Sequence, residues 1–516
     1  MRPEDQLAAI ARKFGPEAAR EKLRLLVDLR ADAPRGARRL TVLRDALGFM
    51  RAWPDDVRVK RAVDRVIEAL PEEDAIIYSY SYGVVRRLAQ LHAGQIDIAW
   101  DELEDEGPLT ATLQLLVAPG EQQGLDDMEL SLQEWFARCR GAQSDLEFFL
   151  GLLARSAFTL RTQDHLYDRC EIPLHFDGPD PLRVERAVSR LHGRRRDFDR
   201  TRFPVLPEIQ KPLTSVARGG QAEVDLALDA LSSRCIEIYP LIQASAQDVI
   251  VADADGGLQF VLAGVHPQFR SALESLYFFL VLQNGVPIGY GPIGAFAGYS
   301  EVGINLFPEF RGGEIRKIYA QFMRVLHHVL GIECFYLTRY AMGENNPDSI
   351  ATGAFWFYRG LGFKPTNPDV EQLARAEEAR MAARPGHRSD RKMLHALSHT
   401  EAVLDLSQGR CLPLALGALG VAESRWIAEH FAGDRVRAEQ TCARRFGRLL
   451  GIEADSRALI ALAPICAMIP GIERWSARDL AALARIVRAK DAPSEAQAIR
   501  LFDRHRRLMQ ALRALA

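Results

Sequence analysis

The chain has 516 residues, more than a single hydrophobic core usually supports, so two to four domains are expected. Its formal net charge of −2 argues against a bulk attraction to nucleic acid or to an anionic membrane surface. Seven cysteines without a Cys-x-x-Cys pair argue against a zinc ribbon or a disulfide framework. Neither a signal peptide nor an apolar run of the ~18 to 20 residues needed for a membrane span is visible. We therefore expect a cytoplasmic protein with reduced thiols.

Residues 1 to 160 are predicted to form a helical region. Apolar residues recur there at helical spacing, and proline or glycine separates the segments. Residues 161 to 220 are interpreted as an irregular connector rich in arginine, including Arg194, Arg195 and Arg196. Acidic residues are interleaved with these arginines and no aromatic stacking pattern accompanies them, so nucleic acid is not expected as a partner.

Residues 221 to 385 are predicted to form a central α/β domain. Asn284 and Gly285 separate two apolar segments and are a strong signal for a β-hairpin. The expected elements before residue 300 are a helix at 221 to 245 and strands at 258 to 265, 276 to 283 and 286 to 297.

A G-x-G-x-x-G sequence occurs at Gly289 to Gly294. A dinucleotide site would need this sequence to follow a strand and to open a helix. Here Pro292 and a strand-like apolar segment occupy that place. We therefore interpret it as part of a bulged strand.

The segment from Glu301 to Gly331 is predicted to contain a strand, a tight turn and a long helix. The strand would end at Phe307, because Pro308 cannot donate to a β-ladder. Two glycines, Gly312 and Gly313, come next, and apolar residues then recur at helical spacing. Backbone N–H groups at the start of such a helix predict a binding site for a phosphate or pyrophosphate group.

A second strand is expected at 333 to 340, followed by a polar turn and a helix that ends near Phe363. This order of elements resembles the GNAT superfamily of acyl-CoA-dependent N-acetyltransferases, over roughly residues 245 to 370. The most specific parts of the resemblance are Pro308-x-x-Arg311-Gly312 and the segment from Tyr358 to Phe363.

The resemblance implies that the turn from Arg311 to Arg316 holds the pyrophosphate of CoA. Glu314 and Arg316 stand where the family pattern Arg-x-x-Gly-x-Gly has glycines, which puts CoA affinity in question. The backbone amides of Asn305 and Leu306 would polarise the thioester carbonyl, and Asn346 is a weak candidate for a contact with the pantetheine arm. The implied cofactor-binding residues are Asn305, Leu306, Arg311, Gly312, Gly313, Glu314, Ile315, Arg316 and Asn346.

Two residues are candidates for catalysis. In many family members a tyrosine at the position of Tyr358 protonates the departing CoA thiolate; a core tyrosine is the alternative interpretation. Glu301, at the start of the predicted strand, is the best candidate for the general base that accepts a proton from the amine. A purely structural or solvated Glu301 is the alternative.

Residues 386 to 516 are predicted to be helical throughout from Lys392. His395 and His399 would share a helix face, but no third ligand is evident, so no metal site is expected. The predicted fold class is a GNAT-like mixed-sheet α/β (α+β) domain between mainly α-helical N- and C-terminal regions.

The leading hypothesis is an N-acyltransferase that uses acetyl-CoA, or another acyl-CoA, as co-substrate. The acceptor would be an amine of a small molecule or a protein, and the helical regions could bind a protein partner. The competing hypothesis is an inactive GNAT-like domain in a helical scaffold. A third is a transferase that uses aminoacyl-tRNA, contacted through the arginines of residues 183 to 202.

Overall fold

The computed structural model describes residues 2–71, 74–127, 130–198, 203–312, 314–407, 409 and 414–516. The chain is mixed α/β and divides into two compact units. The first unit comprises Met1–Ser189, Gly193–Arg195 and Ala222–Gln243, and the second comprises Arg190–His192, Arg196–Gln221 and Ala244–Ala516.

The elements up to residue 243 are mainly helices. In chain order they are α1 (Pro3–Ile10), α2 (Pro16–Ala31), α3 (Ala37–Ala52), α4 (Val57–Ala69), β1 (Ile76–Tyr78), α5 (Tyr82–Leu91), β2 (Ile96–Ile98), α6 (Gly107–Leu116), α7 (Pro119–Asp127), α8 (Leu132–Cys139), α9 (Asp145–Arg155), α10 (Leu160–Asp168), β3 (Leu174–Phe176), α11 (Val205–Gln210), β4 (Ser215–Arg218), α12 (Gln221–Ser232) and α13 (Tyr239–Ile242).

The elements from residue 244 onward begin with strands and end with helices. They are β5 (Ala244–Asp253), β6 (Leu258–Val265), β7 (Ser275–Gln283), β8 (Val286–Phe296), β9 (Tyr299–Glu301), β10 (Asn305–Leu306), α14 (Ile315–Leu330), β11 (Cys334–Leu337), α15 (Arg339–Met342), α16 (Pro347–Thr352), α17 (Ala354–Leu361), β12 (Lys364–Pro365), α18 (Pro368–Ala383), α19 (Arg391–Ser398), β13 (Ala402–Asp405), α20 (Leu416–Phe431), α21 (Arg435–Leu450), α22 (Arg457–Ala467), α23 (Ala477–Asp491), α24 (Ala496–Arg504) and α25 (Arg506–Leu515).

The first unit combines its helices with a small antiparallel sheet of order β1-β3-β2. Two of its helices, α8 and α9, begin at capping boxes, in which Ser131 and Ser144 each pair with the glutamate three residues later. The sheet corrects the expectation that residues 1 to 160 contain only helices. β1 and β2 have three residues each, too few to show an alternating pattern in the sequence.

The second unit is built on a large mixed sheet. Within the part of the chain that the structure describes, its strand order is β12-β13-β11-β9-β8-β7-β6-β5-β4, and β10 pairs with β8. All neighbouring strands are antiparallel except β9 and β11, which are parallel. A right-handed crossover is the usual way to join parallel neighbours, and here α14 lies in the connection between them.

The β7–β8 hairpin confirms the prediction made from Asn284 and Gly285. Both residues have positive φ, 51° and 83°, as a two-residue type I′ turn requires. The G-x-G-x-x-G sequence lies inside β8, and a register shift occurs beside Gly289. It is therefore part of a bulged strand, as predicted, and does not open a helix.

Helix α14 packs on one face of the large sheet. The ring of Phe322 lies 4.3 Å from Phe279 of β7 and 5.9 Å from Phe260 of β6, measured between centroids. The helix ends at Gly331, whose φ of 78° lets its N–H cap the carbonyls of the last turn. The apolar spacing of the sequence predicted this helix because one of its faces is buried in the core.

Three predictions of secondary structure need correction. The strand expected from Glu301 to Phe307 is interrupted: β9 ends at Glu301 and β10 contains only Asn305 and Leu306. The helix expected at 221 to 245 ends at Ser232, and β5 begins at Ala244. β13 lies in the region expected to be entirely helical, where pairing with β11 stabilises a strand of four residues. Such short strands depend on partners distant in the sequence.

The C-terminal helices form a second apolar core against one end of the sheet. Phe296 at the end of β8 and Tyr299 at the start of β9 belong to the same buried cluster as Phe446, Leu462 and Phe502. This packing holds the helices from α20 through α25 against the sheet.

A buried group of charges also joins this helical region to the sheet. Lys490 forms an ion pair with Glu495 and donates to the backbone carbonyl of Glu274 at 3.2 Å. Arg270 lies 3.6 Å from Glu495 and 3.8 Å from Asp248. Buried charges of this kind are tolerated only when each is paired.

The cysteines do not all have the expected free thiol. Cys139, Cys170, Cys235, Cys442 and Cys466 are free. Cys334, at the start of β11, is disulfide-bonded, which corrects the expectation of reduced thiols at this position. Among the helices of the described ranges, none has the length and apolar composition required to cross a membrane.

Candidate functional site

The parallel strands β9 and β11 separate beyond Val302. Their pairing ends at Glu301 opposite Tyr336, where the N–H of Val302 donates to the carbonyl of Tyr336 at 3.1 Å. From there the chain turns toward β8, and Asn305 pairs with Tyr290. In the described residues β10 pairs with β8 and not with β11, so the pairing of the sheet is interrupted between β10 and the end of β11, and we call this gap the cleft.

Gly303 lies where the two strands separate. A Cβ atom built on this residue would have no heavy atom of another residue within 4 Å, apart from its chain neighbours. The carbonyl oxygen of Gly303 lies close to Gly291 of β8, 2.9 Å from the position of a Cβ atom there. The backbone at Gly303 is thus held by β8 on one side and faces open space on the other.

The hydroxyl groups of two tyrosines lie on the side of this cleft that faces α14. The Tyr319 hydroxyl, from α14, donates to the carbonyl of Val302 at 2.7 Å. The Tyr358 ring, from α17, lies 5.7 Å from the Tyr319 ring, and the interaction with Tyr319 opposes the rise that burial causes in the pKa of Tyr358. Burial raises the pKa of Tyr358, so its hydroxyl stays protonated at neutral pH and can act as a proton donor.

Arg359 fixes the position of the helix that carries Tyr358. Its guanidinium binds Glu371 at 2.5 Å and Glu378 at 3.0 Å, both on α18. Forked contacts of this kind are among the stronger hydrogen bonds in proteins. They hold α17 against α18, so the Tyr358 hydroxyl has little freedom to move.

Glu301 lies on the other face of the sheet from α14. Phe279 packs on α14, and the pairs Ser275–Ala295 and Ala295–Ser300 put Ser300 on that same face. Because side chains alternate along a strand, Glu301 points to the opposite face. Burial raises the pKa of Glu301, while a hydrogen bond with Thr338 opposes the rise. A carboxylate of raised pKa is a better proton acceptor near neutral pH.

The turn before α14 has the backbone shape expected from its glycines. Gly312 has a φ of 80°, which favours glycine, and Arg311 donates to the carbonyl of Leu306 at 3.4 Å. Gly313 lies outside the described residues. Glu314 is the N-cap of α14, yet its side chain makes no capping hydrogen bond to the first turn.

Arg316 and Ile315 form the first turn of α14. The Arg316 guanidinium donates to the carbonyl of Gly360 in α17, and it would collide with a side chain at that position. Gly360 therefore leaves room for Arg316, which joins α14 to α17. Ile315 is half-buried.

Asn346 has a structural role in the turn before α16. Its side-chain oxygen accepts from the N–H of Ser349 at 3.1 Å, and its amide donates to the carbonyl of Tyr340 at 3.2 Å. These two bonds make it the N-cap of α16. A contact with pantetheine would have to compete with them.

Several residues near the cleft gave no sequence signal. The sequence pattern marks Tyr319 only as an apolar position of α14. It marks Thr338 and Tyr336 only as part of a strand. Glu274, beside β7, lies close enough to Glu301 for the charge of Glu301 to raise its pKa. These groups come together across the sheet, and a sequence read along the chain carries no pattern for that.

Histidines make structural contacts where the sequence suggested a shared helix face. His399 binds Glu344 at 2.9 Å. In the described part of the chain, no three His, Cys, Asp or Glu side chains are grouped as metal ligands.

Comparison with known proteins gives no relative: no family model, no curated protein and no solved structure matches the chain. The arrangement of Tyr358, Glu301 and the start of α14 around the cleft is therefore what points to a function.

Proposed function

We propose that the chain is an acyl-CoA-dependent N-acyltransferase, most simply an acetyltransferase, with a GNAT-like domain in its second unit. The observation that carries the proposal is the cleft between β9–β10 and β11. It has a protonated tyrosine, Tyr358, on one face of the sheet and a carboxylate of raised pKa, Glu301, on the other.

The order of elements supports this proposal. A hairpin, an interrupted strand, a helix entered from a glycine turn, a parallel strand and the Tyr358 helix follow one another as the resemblance implies. A helix that starts without a side-chain cap, as α14 does, offers backbone N–H groups to an anion such as a pyrophosphate.

The chemistry assigned to the cleft is direct transfer. Glu301 would accept a proton from the acceptor amine, whose nitrogen then attacks the thioester carbonyl carbon. A C–N bond forms and the C–S bond breaks. Tyr358 would donate its phenolic proton to the departing thiolate, and N–H groups of the Asn305–Leu306 segment would stabilise the oxyanion.

An inactive GNAT-like domain is the second candidate, and one observation favours it. Arg316, which could have contacted a phosphate, is directed to Gly360 of α17. Glu314 adds a carboxylate at the start of α14, where it would repel a pyrophosphate. Under this candidate the turn would serve packing alone.

Calorimetric titration with acetyl-CoA separates the two candidates. We expect binding to the wild type that weakens roughly 10- to 100-fold in Arg311→Ala, the loss of one charge-assisted hydrogen bond. Glu314→Gln should bind more tightly, because a like charge is removed. Arg425→Ala, an exposed arginine of α20, is the matched control. Failure of acetyl-CoA and longer acyl-CoAs to bind the wild type would overturn the proposal.

A further inference from the structure

We propose that Glu274 is a second carboxyl group of the cleft that takes part in proton transfer. It shares one proton with Glu301 and relays protons from the acceptor amine. This inference rests on the proposed N-acyltransferase function. Glu274 would not touch the thioester. It would act through Glu301, as a positioning and relay residue.

The geometry places the two carboxyls on one face of the sheet. The Oε1 atom of Glu274 lies 2.5 Å from the position that a Cβ atom on Gly294 would occupy, and its Cδ lies 3.2 Å from it. Continuing the register from the Ala295–Ser300 pair brings Gly294 opposite Glu301. Directly opposed residues of an antiparallel pair have Cβ positions about 4.5–5.5 Å apart.

Gly294 is what makes this arrangement possible. Any side chain at this position would occupy the space that the Glu274 carboxyl fills. Glycine within a strand weakens the strand, and it often marks a close approach of another group. Here the approaching group is the Glu274 carboxyl, which is thereby kept beside Glu301.

The charges around Glu274 favour a shared proton. Burial raises the pKa of Glu274, and the charge of Glu301 raises it further. Lys490 opposes this rise, although its ammonium group is itself paired with Glu495. Because the charge of Glu301 opposes ionisation of Glu274, we expect the two half-buried carboxyls to release their protons in two coupled steps, with one proton retained between them.

Among the described residues, two neutral phenols and one hydroxyl group also lie near the pair. Burial raises the pKa of Tyr299 to about 12 and also raises that of Tyr336, so both phenols are neutral at physiological pH. Thr338 shares a hydrogen bond with Glu301. The remaining charged groups facing these tyrosines are Glu401, near Tyr336, and Arg513, near Tyr299.

The proton balance of the transfer uses both carboxyls. A protonated amine must lose two protons to become an amide. Glu301 accepts the first before attack and passes it through Glu274 to water; it accepts the second as the C–N bond forms. The thiolate released by C–S cleavage takes the proton of Tyr358, which is replaced from water, so one proton is released per turnover.

The first test measures the pair without turnover. Carboxyl ¹³C NMR of protein labelled at glutamate, assigned by the signal lost in Glu274→Gln, follows the titration of Glu274. In Glu301→Gln its midpoint should fall by about one pH unit, since a like charge is removed. Glu429→Gln, an exposed residue of α20, should leave it unchanged. An equal midpoint in Glu301→Gln and the wild type would overturn the pairing.

The second test measures function with an independent way of displacing the carboxyl. Gly294→Ala pushes the flexible Glu274 side chain aside. Both Gly294→Ala and Glu274→Gln should therefore lower kcat/KM for the amine about tenfold and leave the KM for acyl-CoA unchanged. The double variant should be no worse than Glu274→Gln alone. Additive losses would overturn the relay while leaving the acyltransferase function intact. A wild type that acylates no amine would overturn the proposed function and the relay together.

Discussion

Replacement of Tyr358 by phenylalanine tests the assignment of the acid. The change removes the hydroxyl group beside Tyr319 and leaves the ring among Tyr319, Phe357 and Phe363. The loss of this one buried hydroxyl group should cost about 0.5–1.5 kcal/mol of the free energy of unfolding, the range of a neutral hydrogen bond. General acid catalysis contributes roughly 10²–10⁴-fold, and because a thiolate is a good leaving group we expect the low end, about a hundredfold loss of kcat.

The assay is release of CoA thiol with acetyl-CoA and an acceptor amine across a range of pH. Because burial raises the pKa of Tyr358, the wild type should lose activity only at strongly alkaline pH, where the phenol ionises. The phenylalanine variant should lack that alkaline limb, and its affinity for acetyl-CoA should be unchanged. Tyr340→Phe, at an exposed residue of α15, is the control. Unchanged kcat in Tyr358→Phe would refute the assigned role.

Three further outcomes are expected. Gly303→Phe should fold normally, because the position faces open space, and should weaken acetyl-CoA binding at least tenfold by calorimetry; unchanged affinity would exclude the cleft as the site. Lys490→Ala removes the nearest ion-pair partner of the buried Glu495 and leaves it only the more distant Arg270, at 3.6 Å, so the free energy of unfolding should fall by about 3–5 kcal/mol in urea titrations. A loss below ~1 kcal/mol would contradict the pairing with Lys490. In the first unit, the hydrogen bond to Asp229 raises the pKa of His92. This bond therefore stabilises the fold fully below the unfolded pKa of about 6.5, and its contribution decreases as the pH rises through the folded pKa. Asp229→Asn should lower the free energy of unfolding more at pH 6 than at pH 9, and equal decreases at the two pH values would refute the linkage.

The predictable parts of the fold are those encoded over a few neighbouring residues. Asn284 and Gly285 specify a turn by their backbone preferences, and the apolar spacing of α14 specifies its buried face. The break after Glu301 and the strand β13 depend instead on pairing partners that are distant in the sequence, because β10 pairs with β8 and β13 pairs with β11. No local pattern distinguishes such short segments from turns or helix ends.

The candidate site divides in the same way. Tyr358 and Arg311 are candidates because of the resemblance, which works on short motifs, and Glu301 is a candidate because of its place at the start of a predicted strand. Glu274 was not a candidate, because its place beside Glu301 depends on Gly294, a residue of a third strand. The roles of Arg316 and Asn346 were also beyond the sequence, since each contacts a backbone carbonyl whose position only the folded chain defines.

The separation of β9 and β11 gives the proposed reaction a direction. Tyr358 and Tyr319 reach the cleft from the face that carries α14, and Glu301 lies on the opposite face. A thiolate leaving toward Tyr358 therefore departs on one face, while an amine that gives its proton to Glu301 approaches from the other. That geometry suits direct attack, since the nucleophile and the leaving group need not exchange places in the cleft. Under the proposed function, the acceptor would be selected on the face where Glu274, Gly294 and Glu301 lie.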